Sequence, residues 1–314
     1  MESIRILNAV LLVALPCACS PQERDTAAAP AALIRITTAE GSAEVPARPA
    51  KVAVYDYAVL DTVTALGVHP AVVPEKSFLD YLDQASAQAV GAGTIFEPDQ
   101  EALHAARPDL IMLGLSANRL QHELKAIAPT VNMSVNGSSL ISDGLKRLDD
   151  FGRLFGKTAE AEALHRQTAR LLADTRAAIR AQNPHNALVI MVNGGKLSAF
   201  GEASYFGWVY RELGIPIAPN SLALQQRGLP VSFEFLRQTD PDWLFVVDRS
   251  TAVGEAGLAA RSVLDNPLMH QTRAWRQGHI VYLSSAAFIA GGGIRQIQLD
   301  LNNIRRAFIQ TATH

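Results

Sequence analysis

The amino-acid sequence predicts an α/β protein of two lobes, each with a mostly parallel central sheet, joined by one long connecting helix. Three observations carry this. Short apolar strands alternate with helical segments along nearly the whole chain. Residues 158–183 interrupt the alternation with the longest unbroken helical signal, placed near the middle. One motif (Glu, six residues, Pro-Asp, apolar strand) occurs once on each side of that helix.

The bulk composition agrees. A chain of 314 residues suits about two domains. Apolar residues make up 48% and charged residues 18%, enough for a sizeable core. A net charge of −2 without a long basic run argues against nucleic acid as a partner. Beyond the first residues no apolar stretch approaches the ~20 residues of a membrane span.

Those first residues read as an export leader. Residues 1–5 carry Arg5, and 6–15 form an apolar run of signal-peptide length. Both cysteines, Cys17 and Cys19, follow directly. Either they are ordinary residues of a cleaved signal, or one is the lipidated Cys of a bacterial lipoprotein. Ala18 before Cys19 fits the lipoprotein rule, and Pro16 before Cys17 does not. Residues 1–19 are therefore expected to be a lipoprotein-type signal peptide, with Cys19 lipidated and no intramolecular disulfide in the mature chain. Residues 20–32 are an Ala/Pro/polar tether. The expected place is the periplasm, tethered through Cys19 or, with plain cleavage, soluble.

The N-terminal lobe is expected over 33–157. It opens with a small hairpin, 33–37 and 43–45, around Glu40-Gly41. Strands follow at 51–55, 71–73, 89–91, 110–113 and 130–135, alternating with helices at 57–66, 78–84, 98–106, 118–127 and 139–155. The connecting helix 158–183 places Leu164, Thr168, Leu171, Leu172, Thr175 and Ile179 on one stripe. Glu160 and Glu162 at its start and Arg176 and Arg180 near its end suit the helix dipole, and Asn183-Pro184 stops it. The C-terminal lobe, 184–314, begins with strands 187–193 and 196–200, which Gly194-Gly195 could join as a hairpin. Helix 205–213, strand 215–218, helix 232–238 and strand 243–247 follow. Residues 258–277 read as mostly helical with a break at Asn266-Pro267, then strand 280–283 and a closing helix 294–311.

The repeated motif runs from Glu101 to Pro108-Asp109 before LIML, and from Glu234 to Pro241-Asp242 before WLFVV. Each glutamate sits near a helix start, where the dipole favours it. As a matched pair of exposed carboxylates, one per lobe, Glu101 and Glu234 could also dock a symmetric basic partner. Ligands of open α/β sheets bind beyond the carboxyl ends of the strands. That rule selects Arg119 after LIML, Arg249 after WLFVV, Arg227 before helix 232–238, and Tyr205 after Phe200-Gly201. Three arginines suit an anionic, oxygen-rich ligand.

The segments AEVPARPAKVAVYDYAVLDTVTALG, EPDQEALHAARPDLIML, LKAIAPTV, NGGKLSAFG, FGWVYRELG and VSFEFLRQTDPDWLFVVDRSTAVG, with the Gly triplet before the last helix, carry a resemblance. They are similar to the helical-hinge (class III) substrate-binding proteins of ABC importers, within them to the ferric-siderophore branch that takes petrobactin- or enterobactin-type catecholates. The resemblance implies that Arg119 and Arg249 hold an anionic ferric complex. It also implies that Glu101 and Glu234 meet arginines of the two permease subunits at the inner membrane. Two departures stand out. Tyr205 lies where family members often carry a further Arg. Arg227 and the SSAAFIAGGG segment, with only Phe288, stand where some members place an iron-ligating His and Tyr. A coordinatively complete ferric siderophore, recognised by charge with Arg227 as third cation, is therefore expected. No protein side chain on the metal and no covalent cofactor are expected. The same fold also accommodates cobalamin, haem or a bare metal ion, although the eight histidines are scattered. No Gly-x-Ser-x-Gly or His-Glu-x-x-His motif marks an enzyme. A monomer with small lobe closure on binding, touching the membrane only through its lipid, completes the expectation.

Overall fold

A computed structural model describes residues 32–77, 79–219, 228–249, 259–284 and 286–311. A hairpin of β1 (Leu33–Thr38) and β2 (Gly41–Pro46) comes first. It buries Ile36 and Val45 and packs on α5 (Leu140–Leu154), where Asp150 accepts from the Thr37 amide at 2.8 Å.

The first sheet contains β3 (Val52–Tyr55), β4 (Val72–Val73), β5 (Val90–Gly91), β6 (Leu110–Leu113) and β7 (Thr130–Asn132). Its order is β5-β4-β3-β6-β7 and all its pairings are parallel. VAVY and LIML are buried throughout, as strands covered on both faces require. The crossovers carry α1 (Tyr57–Ala65), α2 (Asp80–Ala85), α3 (Gln100–Ala106) and α4 (Gln121–Leu124). Asp56 caps α1 and Asp99 caps α3 through their side chains.

The second sheet contains β8 (Ala187–Asn193), β9 (Lys196–Phe200), β10 (Leu229–Val231), β11 (Trp243–Asp248) and β12 (Ile280–Tyr282), ordered β10-β9-β8-β11-β12. β8, β11 and β12 run parallel. β9 turns back on β8 through Gly194-Gly195, with φ of +54° and +84°, the backbone that a two-residue hairpin turn demands. β10 adds antiparallel to β9, a strand the sequence reading did not contain. Its helices are α7 (Trp208–Arg211), α8 (Phe233–Thr239), α9 (Ala260–Leu264), α10 (Arg273–Arg276) and α11 (Ala286–Ile289).

Some expected elements shrink. Residues 215–218 form no strand, only a bridge from Ile217 to Ala187. The helix expected over 205–213 is only α7, because Ser204 ties the preceding turns, donating to the Gly201 carbonyl and accepting from the Phe206 amide. The helix expected over 118–127 is a 3-10 turn followed by α4.

Between the sheets runs α6 (Thr158–Gln182), 25 residues and roughly 37 Å long. It ends at Asn183 in the left-handed region (φ +45°) because Pro184 disfavours helical backbone in the residue before it. Ala161, Thr168, Thr175 and Ile179 form its buried face. These short side chains let it lie along α12 (Ile294–Thr311), with Gln298 donating to the Thr168 hydroxyl at 2.8 Å.

α12 is a second spine, which the sequence reading treated only as a closing helix. Its first turn is held by the N-terminal lobe: Asp61 of α1 accepts from the Arg295 and Gln296 amides at 2.8 and 3.2 Å. Its last turns are held by the C-terminal lobe, where Phe308 stacks on Trp243, centroids 3.6 Å apart. In return, Glu212 after α7 accepts from the Ile141 and Ser142 amides at 2.7 and 2.8 Å, capping α5 from the other lobe. Buried Arg147 of α5 reaches both the Met133 carbonyl and the Gly292 carbonyl, at 2.9 and 2.6 Å. The Gly triplet 291–293 is thus a turn shaped by neighbours: a Cβ on Gly293 would collide with Asp61, and Gly292 sits at φ +87°. One apolar cluster runs unbroken from Val54 and Met112 through Phe151, Ile179 and Leu301 to Val189 and Phe245.

Two outcomes follow from these contacts. Replacing Glu212 by Ala removes the partner of two α5 amides and should cost about 1 kcal/mol in urea unfolding. Burial pushes the Asp300 carboxyl of α12 up to about 7, while the bonds from Gln296 and the Ser284 amide oppose that rise. Between its ordinary value and 7 the folded chain binds a proton that the unfolded chain releases, so this contribution to stability falls as pH rises through that window. Asp300→Asn lacks the penalty and should melt at higher temperature than the parent at pH 8 but nearly equally at pH 5.

Candidate ligand cleft between the lobes

The parallel strands of the first sheet deliver Asp56, Gly114 and Ser134 to one edge, and those of the second deliver Arg249 and Leu283. The loops beyond these edges meet. A Cβ on Gly137 would overlap the Tyr205 backbone at 2.2 Å, so residues of opposite lobes touch there. Beside this contact lies a cavity of about 630 Å³, lined by Thr37, Leu115, Ser134, Asn136, Lys146 and Tyr205 among others. That volume suits a small-molecule ligand.

Among the described residues, Tyr205 is the one predicted ligand residue in the cavity wall. Its ring stands edge-on to Phe206 at 5.2 Å, and its hydroxyl lies where a Gly291 side chain would otherwise be. Burial, then the nearby Asp56 carboxylate, raises its pKa, so the phenol keeps its proton. Beneath it lies a buried set of charges. Burial raises the Asp56 carboxyl and lowers the Arg147 guanidinium, and each is partly offset by the other's charge. Burial raises Asp61 to about 6, against the pull of its bonds from Arg295, Tyr81 and Gln296.

Arg119 and Arg249 do not line the cavity; each stands on its own lobe beyond the carboxyl end of a central strand. Arg119 follows β6 in a 3-10 turn, with its side chain 60% exposed. Its Nη2 donates to the Phe96 carbonyl at 3.3 Å and lies 3.8 Å from Glu97. Arg249 follows β11, half-buried, donates to the Asn193 side chain at 3.4 Å, and lies over the Phe288 ring at 5.7 Å. Arg227 and Cys19 lie outside the described residues.

The repeated motif has a clear local cause. Arg107 and Asp240, both with positive φ, end α3 and α8 immediately before Pro108 and Pro241. Asp109 and Asp242 then accept from the backbone amides of Lys51 and His185, fixing the starts of β3 and β8 beside β6 and β11. Glu101 and Glu234 occupy the second position of α3 and α8, and both are exposed. A hydrogen bond from Ser232, then Glu234's own backbone, lowers the Glu234 carboxyl.

Among the described residues no group of three or more His, Cys, Asp or Glu could hold a metal ion. His165, His270 and His279 each pair with one aspartate, Asp149, Asp265 and Asp242. Sequence reasoning did not single out Phe96 or Lys146. The only available signal for Phe96 was Thr94 two residues before it, a turn former.

Two α/β lobes tied by a continuous helix, with a ligand-sized cavity where their loops meet, define a helical-hinge (class III) binding protein. The chain belongs to the periplasmic binding protein family, which matches residues 52–287. It is 30% identical to the petrobactin-binding protein YclQ of Bacillus subtilis over 83% of each chain. Identity to the ferric-anguibactin-binding protein FatB of Vibrio anguillarum is 29% over 85% of each. The crystal structure of the catecholate-siderophore binding protein VctP of Vibrio cholerae superposes with a TM-score of 0.82 at 27% identity. It covers 88% of this chain and 100% of that one.

Proposed function

We propose that the protein captures a ferric siderophore of catecholate type outside the cytoplasm and delivers it to an ABC permease in the inner membrane. The observation that carries the reading is the placement of Arg119 and Arg249. They follow the equivalent strands β6 and β11 of the two lobes, in a chain related to binding proteins named for petrobactin, anguibactin and catecholate siderophores. One unit charge at ~4 Å in an effective dielectric near 20 contributes about 4 kcal/mol before desolvation. The exposure of Arg119 keeps its share well below that. Arg227 is the third cation of the reading, and Tyr205 supplies a neutral hydroxyl. The metal arrives as part of the ligand, with its coordination completed by the siderophore.

The rest of the reading follows the sequence. Residues 1–19 are the leader, 20–32 the tether, 33–157 and 184–314 the lobes, and 158–183 the connector. Cys19 carries the lipid that holds a monomer to the membrane. Two relatives are named as lipoproteins, and among the described residues no helix is long and apolar enough to cross a membrane. The equivalence of Glu101 and Glu234 in the two lobes supports their role as the permease-docking pair.

Titration of Trp fluorescence with a panel of ferric chelates tests the function. Submicromolar binding of at least one ferric catecholate is expected, with weaker binding of bare Fe(III) and vitamin B12; a panel without a catecholate response overturns the reading. Arg119→Ala and Arg249→Ala should each weaken binding about tenfold, the low end for losing a charged hydrogen bond. The double variant Glu101→Ala, Glu234→Ala should bind as the parent does yet support markedly slower uptake by cells or proteoliposomes.

A further inference from the structure

The repeat that carries Glu101 and Glu234 extends upstream of both glutamates. Five residues before Glu101 stands Phe96, and five before Glu234 stands Leu229. Both side chains are exposed, at 61% and 46%. The scaffold behind them is equivalent too. Phe96 follows β5 and Leu229 opens β10, the edge strands of their sheets. In each lobe the chain then passes a capping side chain, Asp99 or Ser232, into the helix that bears the glutamate.

The backbone holds both residues in place. The Thr94 hydroxyl accepts from the Phe96 and Glu97 amides at 3.2 and 3.0 Å, and the Ala92 carbonyl accepts from the Asp99 amide at 3.3 Å. Leu229 is paired with Ala199 of β9. Each apolar side chain therefore stands within the roughly 18 Å that five residues can span from its glutamate. A single exposed apolar residue is ordinary on a protein surface. Two at the same step of an internal repeat, each upstream of an exposed acid, mark one kind of surface made twice. Leu299 and Ile309 of α12 are also exposed but fall outside the repeat. Exposed carboxylates contribute little to docking by themselves, because water and salt screen them. Interfaces take most of their strength from a few buried anchors, with charge at the rim.

We infer that Phe96 and Leu229 are the apolar anchors of the docking surface, one per lobe, each seated in an apolar socket beside the basic side chain that meets Glu101 or Glu234. The partner is a membrane transporter of two equivalent subunits, whose socket is used twice and accepts a phenyl or an isobutyl group. The inference rests on the proposed docking role of the two glutamates and adds the apolar half of that contact.

The test uses full chains expressed at graded levels in the producing cells, deleted for their native copy. The variants are Phe96→Ser, Leu229→Ser, both together, the double variant Glu101→Ala, Glu234→Ala, and the control Leu299→Ser. Initial uptake of the ferric complex of a linear bis(2,3-dihydroxybenzamide), labelled with radioiron, is measured against the amount of binding protein. Affinity of the purified proteins for the same complex is read from Trp fluorescence, and thermal melts check folding. Each single Ser variant should need about three- to tenfold more protein for half-maximal uptake, the range for partial loss of one buried anchor. The two losses should multiply in the combined variant, because the sites lie in separate lobes. Maximal rate and chelate affinity should stay within about twofold, Phe96→Leu should recover most of the parent's uptake, and Leu299→Ser should match the parent. Parent-like curves for both Ser variants beside a shifted glutamate variant overturn the inference and leave the docking pair standing. A parent-like glutamate variant overturns the docking pair and the inference with it. A loss of chelate affinity in either Ser variant, a shift in only one of them, or an equal shift in Leu299→Ser also overturns the inference. A parent that supports no uptake of the complex overturns the capture-and-delivery reading on which it rests.

Discussion

Two helix N-termini lie where the lobes meet, and a carboxylate from the opposite lobe satisfies each. Asp61 serves the first turn of α12 and Glu212 the first turn of α5. The opening amides of a helix have no partner within it, and their dipole favours negative charge, so a helix start at the joint favours such a group. The exchange is reciprocal, which makes the lobes mutually dependent. Arg147 adds a third tie by reaching carbonyls of both. With α6 and α12 side by side and the apolar cluster passing through both, the interface is built like the interior of one domain.

The ligand cleft inherits its geometry from this frame. The same Gly triplet that admits Asp61 and Arg147 also leaves room for the Tyr205 hydroxyl, so backbone of the inter-lobe joint forms part of the cavity surroundings. The arginines depend on a different device. Pro-Asp turns place β6 and β11 beside β3 and β8, and the loops that follow those strands carry Arg119 and Arg249. A motif that reads in sequence as a docking signal thus has a structural half, the Pro-Asp clamp, and a surface half, the glutamate.

What the sequence makes legible is local. Of the expected α6 stripe, Thr168, Thr175 and Ile179 are buried while Leu164, Leu171 and Leu172 are half-buried, and 294–311 is helical over its full expected span. Gly194-Gly195 does make a hairpin, which gives the second sheet two antiparallel pairings where alternation alone suggested parallel ones. Illegible features join distant positions. Asp61 and Arg295 are 234 residues apart, and Glu212 and Ile141 71. Nothing in the neighbourhood of either acid marks it as a cap for a remote helix. The short strand expected over 215–218 failed for a related reason: its apolar residues, Ile215 and Ala218, are buried without a ladder. Of the candidate ligand residues, spacing could place Arg119 and Arg249 at strand ends. It could not reveal what each meets, because the carbonyl of residue 96 that Arg119 bonds lies 23 positions away and the Phe288 ring under Arg249 lies 39 away.

The paired spines have a consequence for traffic through a transporter. If the frame stays stiff, the filled and empty proteins present nearly the same outline, with Glu101 and Glu234 at a fixed separation in both. A permease that reads only those two acids would then be blocked by empty copies competing for the same face. In the proposed role, discrimination would then fall to the mouth itself, where an anion held by Arg119 and Arg249 would cancel their positive field. Under that reading, the message that cargo is aboard would be a change of charge rather than a change of shape.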